Sequence, residues 1–159
     1  MTHSIYFASP LFSSMERRYN DYLVDEIRNN HPNLSIYVPQ EQMAINDKSS
    51  FADAKMIATY DTQALLNSRL MIAVLDGATI DVGVASEIGV AYHAGIPIVG
   101  LFTDSRQQGA DNREKIEALS DIAESQFPYA NLYTIGLVKL NGLIVNNETD
   151  LIKVLPEYL

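Results

Sequence analysis

The chain has 159 residues, 47% of them apolar, a net charge of −9 and no cysteine. That length suits one domain around one sizeable core. The missing cysteines exclude disulfides, thiolate metal sites and cysteine nucleophiles, and scattered cations on an acidic chain exclude a nucleic-acid backbone as partner. In chain order, residues 3–8 are short, apolar and β-prone and read as a first strand, ended by Ser9-Pro10. Ser13 or Ser14 can cap a helix to about Asn30, broken by His31-Pro32-Asn33. Residues 34–38 read as a second strand ended by Pro39, residues 40–50 as a polar loop, and residues 51–66 carry helical spacing. Residues 70–75 form a continuous apolar run, typical of a central parallel strand covered on both faces. A loop over 76–81 leads into a helix closed by Gly95, and residues 98–102 read as another buried strand. Residues 103–112 are polar and read as mobile, 113–126 as a solvated helix, 131–140 as a helix ended by Gly142 with a strand as the alternative, and 149–155 as a last short helix.

Strands alternating with helices mean a parallel α/β sheet with helices on both faces. No repeat, low-complexity tract or linker divides the chain, so residues 1–159 read as a single domain. No stretch reaches transmembrane length, and the N-terminus runs straight into Ser4-Ile5-Tyr6-Phe7-Ala8, so neither membrane span nor leader is expected and a cytoplasmic protein is. Ligands of such sheets bind beyond the carboxyl ends of the strands. That rule places four segments on one rim: 9–12, 39–42, 76–81 and 103–112.

Glu87 stands out. Between Val82 and Ala94 it is the only acidic side chain, and its neighbours are apolar or small. An all-round apolar helix is expected to be buried, where a lone carboxylate is costly unless paired, hydrogen-bonded or working. Asp81 is placed to cap the same helix, Asp61 lies on the preceding helix, and Asp76 ends the central strand beside Gly77. Two neighbouring carboxylates can divide roles, one as an ionised nucleophile and one as an acid. Each of these aspartates also has an ordinary reading: Asp81 as an N-cap, Asp61 as a solvated helix residue, Asp76 as turn chemistry. Tyr6 could donate its phenol to a nearby carboxylate or simply fill the core. Phe12 could stack on a planar ring or cap the core, and Gln42 could read a base edge or be an ordinary loop residue.

Several templates are absent. No Gly-x-Gly-x-x-Gly follows the first strand, there is no Walker loop, and His3, His31 and His93 lack metal-ligand spacing, so neither cofactor nor metal is expected. Ser86 lacks a Gly-x-Ser-x-Gly elbow.

The residues Ile5-Tyr6-Phe7-Ala8-Ser9-Pro10-Leu11-Phe12 with Glu16-Arg17-Arg18, and Asp76-Gly77 followed by Asp81-x-Gly83-x-x-x-Glu87-Ile88-Gly89, resemble the nucleoside 2-deoxyribosyltransferase family. The resemblance extends to Asn131-Leu132-Tyr133 and Gly142-Leu143-Ile144-Val145. It implies a flavodoxin-like doubly wound parallel sheet and transfer of 2-deoxyribose between nucleobases. It implies Glu87 as the nucleophile at C1′, Tyr6 as its orienting donor, and Asp61 as proton donor to the leaving ring nitrogen. Asp81 and Asn131 would hold the 5′-hydroxyl, with Asn131 donated by a neighbouring subunit of a dimer-built hexamer. Asp61 and Gln42 would face the base, Phe12 would line its pocket, and Asp76 and Gly77 on the same rim would also bind substrate. The implied partners are deoxynucleosides, free nucleobases and other copies of the chain. The alternative is a glycosidase of the same superfamily that hydrolyses (deoxy)nucleosides or nucleoside 5′-monophosphates; Ser9, Ser13, Arg17 and Arg18 are the residues a phosphate would seek. A third reading, a non-catalytic nucleotide-sensing module on the same fold, is disfavoured by the presence of both Glu87 and Tyr6.

Overall fold

The computed structural model describes residues 3–42, 52–108, 111–123 and 129–159. Among the described residues five strands form one sheet: β1 (His3–Ala8), β2 (Ile36–Tyr37), β3 (Ser68–Val74), β4 (Ile98–Leu101) and β5 (Gly142–Val145). Their order is β2-β1-β3-β4-β5 and every pairing is parallel. This is the flavodoxin-like doubly wound arrangement, and its order reverses between β1 and β3. Among the described residues six α-helices flank the sheet: α1 (Ser14–Asn30), α2 (Ala54–Leu66), α3 (Val82–His93), α4 (Arg113–Ala118), α5 (Leu132–Leu140) and, after the last strand, α6 (Glu148–Val154).

Strand alternation sorts the core into two halves. Ile5, Phe7, Leu70 and Ile72 point to the face covered by α1 and α6, with Leu23, Ile27 and Leu151. Tyr6, Ala8, Met71 and Ala73 point to the face covered by α2, α3 and α5, with Leu65, Ile88 and Val138. Removing a fully buried side chain such as Ile88 from either half would cost about 2–5 kcal/mol.

Most elements lie where the sequence puts them, with informative differences. Ser13, not Ser14, caps α1, through a reciprocal capping box with Glu16. The second strand shrinks from 34–38 to two residues: it is a sheet edge, paired only with β1, and Pro39 opens a 3-10 turn (Pro39–Glu41) immediately after it. The helix expected over 51–66 starts at Ala54 because Asp53 caps it, accepting from the Met56 N–H; Phe51 lies outside the described residues, as do 43–50 of the preceding loop. The helix expected over 113–126 is six residues long, Arg113–Ala118, and residues 124–126 of that expectation lie outside the description.

Of the polar, mobile loop expected over 103–112, residues 109 and 110 lie outside the described residues, and 103–108 carry local structure. Thr103 and Asp104 are pinned to Asp76, and Ser105–Gln108 form a 3-10 turn. The largest omission is β5. Gly142 was expected only to stop a helix; it also opens the fifth strand, whose partner approaches so closely that a Cβ there would lie 1.8 Å from the Ile98 carbonyl oxygen. An apolar run of three residues is too short to be told from a helix tail by periodicity.

Candidate active site

The cleft sits where the sheet's order reverses. After β1 the chain turns to the α1 face, and after β3 it turns to the α3 face, so a crevice opens above their carboxyl ends. A cavity of about 530 Å³ occupies it, walled by the loop after β1, by α2 and by the first two turns of α3. That volume is within the range of small-ligand sites.

Helical spacing explains which side chains reach it. On α3, Val84, Glu87, Ile88 and Ala91 stand at i, i+3, i+4 and i+7, a single stripe toward the sheet. Glu87 therefore occupies a core-facing position and comes to line the cleft with Val84 and Val90. On α2 the stripe Ala54, Ile57, Ala58, Asp61 and Leu65 forms the opposite wall, with Asp61 its one charge. Asp81, at the start of α3, completes a set of three cleft carboxylates. Phe12 lines the mouth and is 80% exposed.

Beneath the carboxylates lie two tyrosines. Tyr6 is fully buried in β1, and its Oη donates to Glu87 Oε1 at 2.5 Å. Oε2 of Glu87 has no hydrogen-bond partner among the described residues. Tyr37 in β2 donates to Asp61 Oδ1 at 3.0 Å. The tyrosines are register partners and their rings stack, centroids 5.5 Å apart and planes 12° from parallel. Asp81 Oδ1 accepts from the N–H groups of Gly83 and Val84 at 2.9 and 3.1 Å, so the N-cap reading holds; Oδ2 makes no hydrogen bond among the described residues.

Burial sets the electrostatics. It pushes the Glu87 carboxyl up to about 7; the Tyr6 hydrogen bond pulls it back, and the charges of Asp61 and Asp81 add to the rise. Asp61 is also raised, by burial first, against the Tyr37 hydrogen bond. Tyr6 is driven far above the usual phenol range by burial and then by the Glu87 charge, so it stays a donor at any ordinary pH. Tyr37 is raised for the same kinds of reason, burial first and then the Asp61 charge. A carboxylate poised near neutrality beside a permanent donor can act as nucleophile or base, and a raised partner can act as acid.

The remaining sequence candidates lie elsewhere. Gln42 donates its amide to the Val38 carbonyl at 3.0 Å and is not on the wall of the cleft. Asp76 accepts from the Thr103 N–H at 2.7 Å, the Thr103 hydroxyl at 2.8 Å and the Asp104 N–H at 3.2 Å, tying the end of β3 to the loop after β4. Gly77 turns that loop at φ +140°, where a Cβ would sit 2.8 Å from the Thr79 carbonyl oxygen. Asn131 is exposed and caps α5, accepting from the N–H groups of Tyr133 and Thr134. Tyr37 is the residue sequence reasoning missed. Its signal, a tyrosine one position before Val38-Pro39, gained meaning only once β2 was paired with β1. Among the described residues no group of His, Asp and Glu is arranged to hold a metal, and no helix is long and apolar enough to cross a membrane.

The family model for nucleoside 2-deoxyribosyltransferase matches residues 5–148. The chain belongs to the nucleoside 2-deoxyribosyltransferase family. It is 58% identical to a conserved protein from Enterococcus faecalis V583 over the full length of both chains, with a TM-score of 0.92. It shares its fold with the 2-deoxyribosyltransferase of Leishmania mexicana at 18% identity, TM-score 0.65, covering 98% of each chain. It also resembles the CMP N-glycosidase of Clostridium botulinum at 16% identity and TM-score 0.50, covering 98% of this chain and 99% of that one. No curated protein matches the sequence. A 2-deoxyribosyltransferase and an N-glycosidase thus share this fold, so the fold by itself does not decide the reaction.

Proposed function

We propose that this protein transfers 2-deoxyribose from one nucleobase to another by two displacements at C1′, with Glu87 as the nucleophile. The observation that carries the reading is the Glu87 carboxylate in the cleft, one oxygen held by Tyr6 at 2.5 Å and the other unpartnered among the described residues. In the first step Glu87 bonds to C1′ while the C1′–N bond breaks; its electron pair goes to the base nitrogen, which takes a proton from Asp61. The product is a deoxyribosyl ester of Glu87 and a free base. In the second step a ring nitrogen of the incoming base attacks C1′, the Glu87 carboxylate leaves, and the proton returns to Asp61. Both steps pass through an oxocarbenium-like state that an adjacent carboxylate stabilises, and two inversions give net retention.

The lining supports free nucleosides as substrates. Three carboxylates and no basic side chain line the cleft among the described residues, so a 5′-phosphate would meet repulsion with no cation to offset it. The free oxygen of Asp81 suits a 5′-hydroxyl, and Ile57, Leu65 and Phe12 suit a planar base. Gln42, on the rim after β2, would reach the base only by releasing its amide from the Val38 carbonyl. The reading includes a homo-oligomer, a hexamer built of dimers, in which Asn131 completes the neighbour's sugar site. It is supported by the uncovered apolar side of this face: Val82 on α3 is 82% exposed, and Leu132 and Tyr133, beside Asn131, are 83% and 76% exposed. Salvage of nucleosides in the cytoplasm, without a cofactor, belongs to the same reading.

The test is incubation with 2′-deoxyinosine and a different free base, with both products followed by chromatography. A new nucleoside means transfer; free hypoxanthine without it means hydrolysis. Glu87→Ala removes turnover and keeps the fold, and near-wild-type rates in that variant would sink the mechanism.

A further inference from the structure

The proton step needs the Asp61 carboxyl in one orientation, yet on α2 its lining neighbours are Ile57, Ala58 and Leu65, with Thr62 beside it, and none of them is hydrogen-bonded to it. Its hydrogen bond comes from across the cleft floor, from Tyr37 Oη at 3.0 Å. One strand over, Tyr6 holds Glu87 in the same manner. Because Tyr6 and Tyr37 are register partners with stacked rings, the two phenol–carboxylate pairs stand side by side on the sheet.

We infer that Tyr37 is a positioning residue: its hydroxyl fixes Asp61 for proton delivery, and its ring, stacked on Tyr6, fixes the spacing between the acid and the nucleophile. The role of Asp61 rests on the proposed transfer reaction, whereas the hydrogen bond can be tested without turnover. Geometry favours this over a purely packing role. Tyr37 is 9% exposed, so ring and hydroxyl have little freedom to leave the stack. A phenylalanine would fill the same volume, yet the hydroxyl is present and aimed at a carboxylate. Among the described residues the ionisable groups about Asp61 are Tyr37 of β2, Tyr6 of β1, and Glu87 and Asp81 of α3. All are acids, so a neutral phenol is the donor that can hold Asp61 here. The bond also opposes burial, which by itself favours the protonated carboxyl.

Tyr37→Phe keeps the ring and removes the donor. Two readouts separate positioning from packing. Carboxyl carbon resonances followed by NMR give the Asp61 titration, assigned by its loss in Asp61→Asn; in Tyr37→Phe it moves to higher pH. 3-Fluorotyrosine at position 37, a stronger donor, moves it to lower pH and serves if the phenylalanine variant does not fold. In base exchange, Tyr37→Phe lowers kcat roughly tenfold with little change in KM, and it has no further effect in an Asp61→Asn background. An Asp61 titration unmoved in both variants, or losses that multiply in the double variant, overturns the inference. A titration that moves in a protein that performs no base exchange supports Tyr37 as the residue that holds Asp61 and refutes the transfer reaction instead.

Discussion

Tyr6→Phe gives the sharpest test of how Glu87 is tuned. The substitution keeps the buried ring and removes one hydrogen bond, 2.5 Å long, to the carboxylate that, as the proposed nucleophile, must be ionised. That bond lowers the Glu87 value against the upward push of burial, which leaves it at about 7. A hydrogen bond to a charged group contributes about 1.5–3 kcal/mol, equivalent to roughly 1–2 pH units. Without it Glu87 titrates near 8–9. At pH 7 the ionised fraction falls from about one half to between one tenth and one hundredth, a loss of roughly 5- to 50-fold in kcat/KM. At pH 9 most of that loss disappears, because both enzymes are then largely ionised. The assay is the initial rate of base exchange from pH 5 to 10 at low nucleoside concentration, where kcat/KM reports the free enzyme. An acid limb that stays in place, or a loss equal at pH 7 and pH 9, would refute the tuning argument and leave Tyr6 as packing alone.

The same balance acts on stability. Glu87 rises from 4.5 to about 7 on folding, so the folded state binds this proton more tightly; the stability is fully present below 4.5 and lost as pH climbs through 7. Glu87→Gln mimics the protonated form and should be more stable than wild type by up to about 3 kcal/mol at pH 8, with no advantage at pH 4, as read by thermal unfolding at both. Asp76→Ala removes three hydrogen bonds to Thr103 and Asp104. It should cost about 2 kcal/mol, speed amide exchange at Thr103 and leave KM unchanged; a raised KM would make Asp76 a substrate ligand. Asn131→Asp keeps an oxygen for the α5 cap but loses the amide donor, so Tm should hold while KM rises. Reassembled with Glu87→Ala subunits, it should recover the wild-type KM in part if Asn131 serves the neighbouring site, and keep the raised KM if it serves its own.

The sequence exposes the fold's period better than its edges. Residues 70–75 and 98–102 announce central strands because each is apolar without interruption, and both are there. β2 and β5 are the outer strands, with one partner each, and their few paired residues leave little pattern. Glu87 was legible as a polar break in an apolar stripe. The inference that its helix is buried all round was not right for this chain: Val84, Ile88 and Ala91 are buried, while Val82 and Tyr92 are exposed. Composition reports how apolar a helix is, not which sides the same chain covers. Tyr37 was illegible for a different reason, since its role depends on strand order, and neighbours across a parallel sheet are far apart in sequence.

The choice of tyrosines as partners has a chemical consequence. Asp104, on the loop after β4, shows what a cation does to a carboxylate in this chain: Arg106 at 2.5 Å holds it down at about 2. A carboxylate so paired is a poor nucleophile and has no proton to give near neutrality. No lysine, arginine or histidine lines the cleft among the described residues. Glu87 and Asp61 are instead held by phenols, which orient a carboxylate without adding positive charge, while burial and mutual repulsion keep Glu87 near neutrality. In the proposed reaction one carboxylate must be ionised and its neighbour protonated, and this arrangement favours that, because the negative charge of each opposes ionisation of the other. A cation introduced into the floor, as in Tyr37→Lys, should therefore draw both carboxylates into the ionised state and remove the acid while leaving the nucleophile. The expected signature is a larger loss with bases that leave poorly than with bases that leave well, read from single-turnover rates; an equal loss for both would mean that the floor's charge does not govern the proton step.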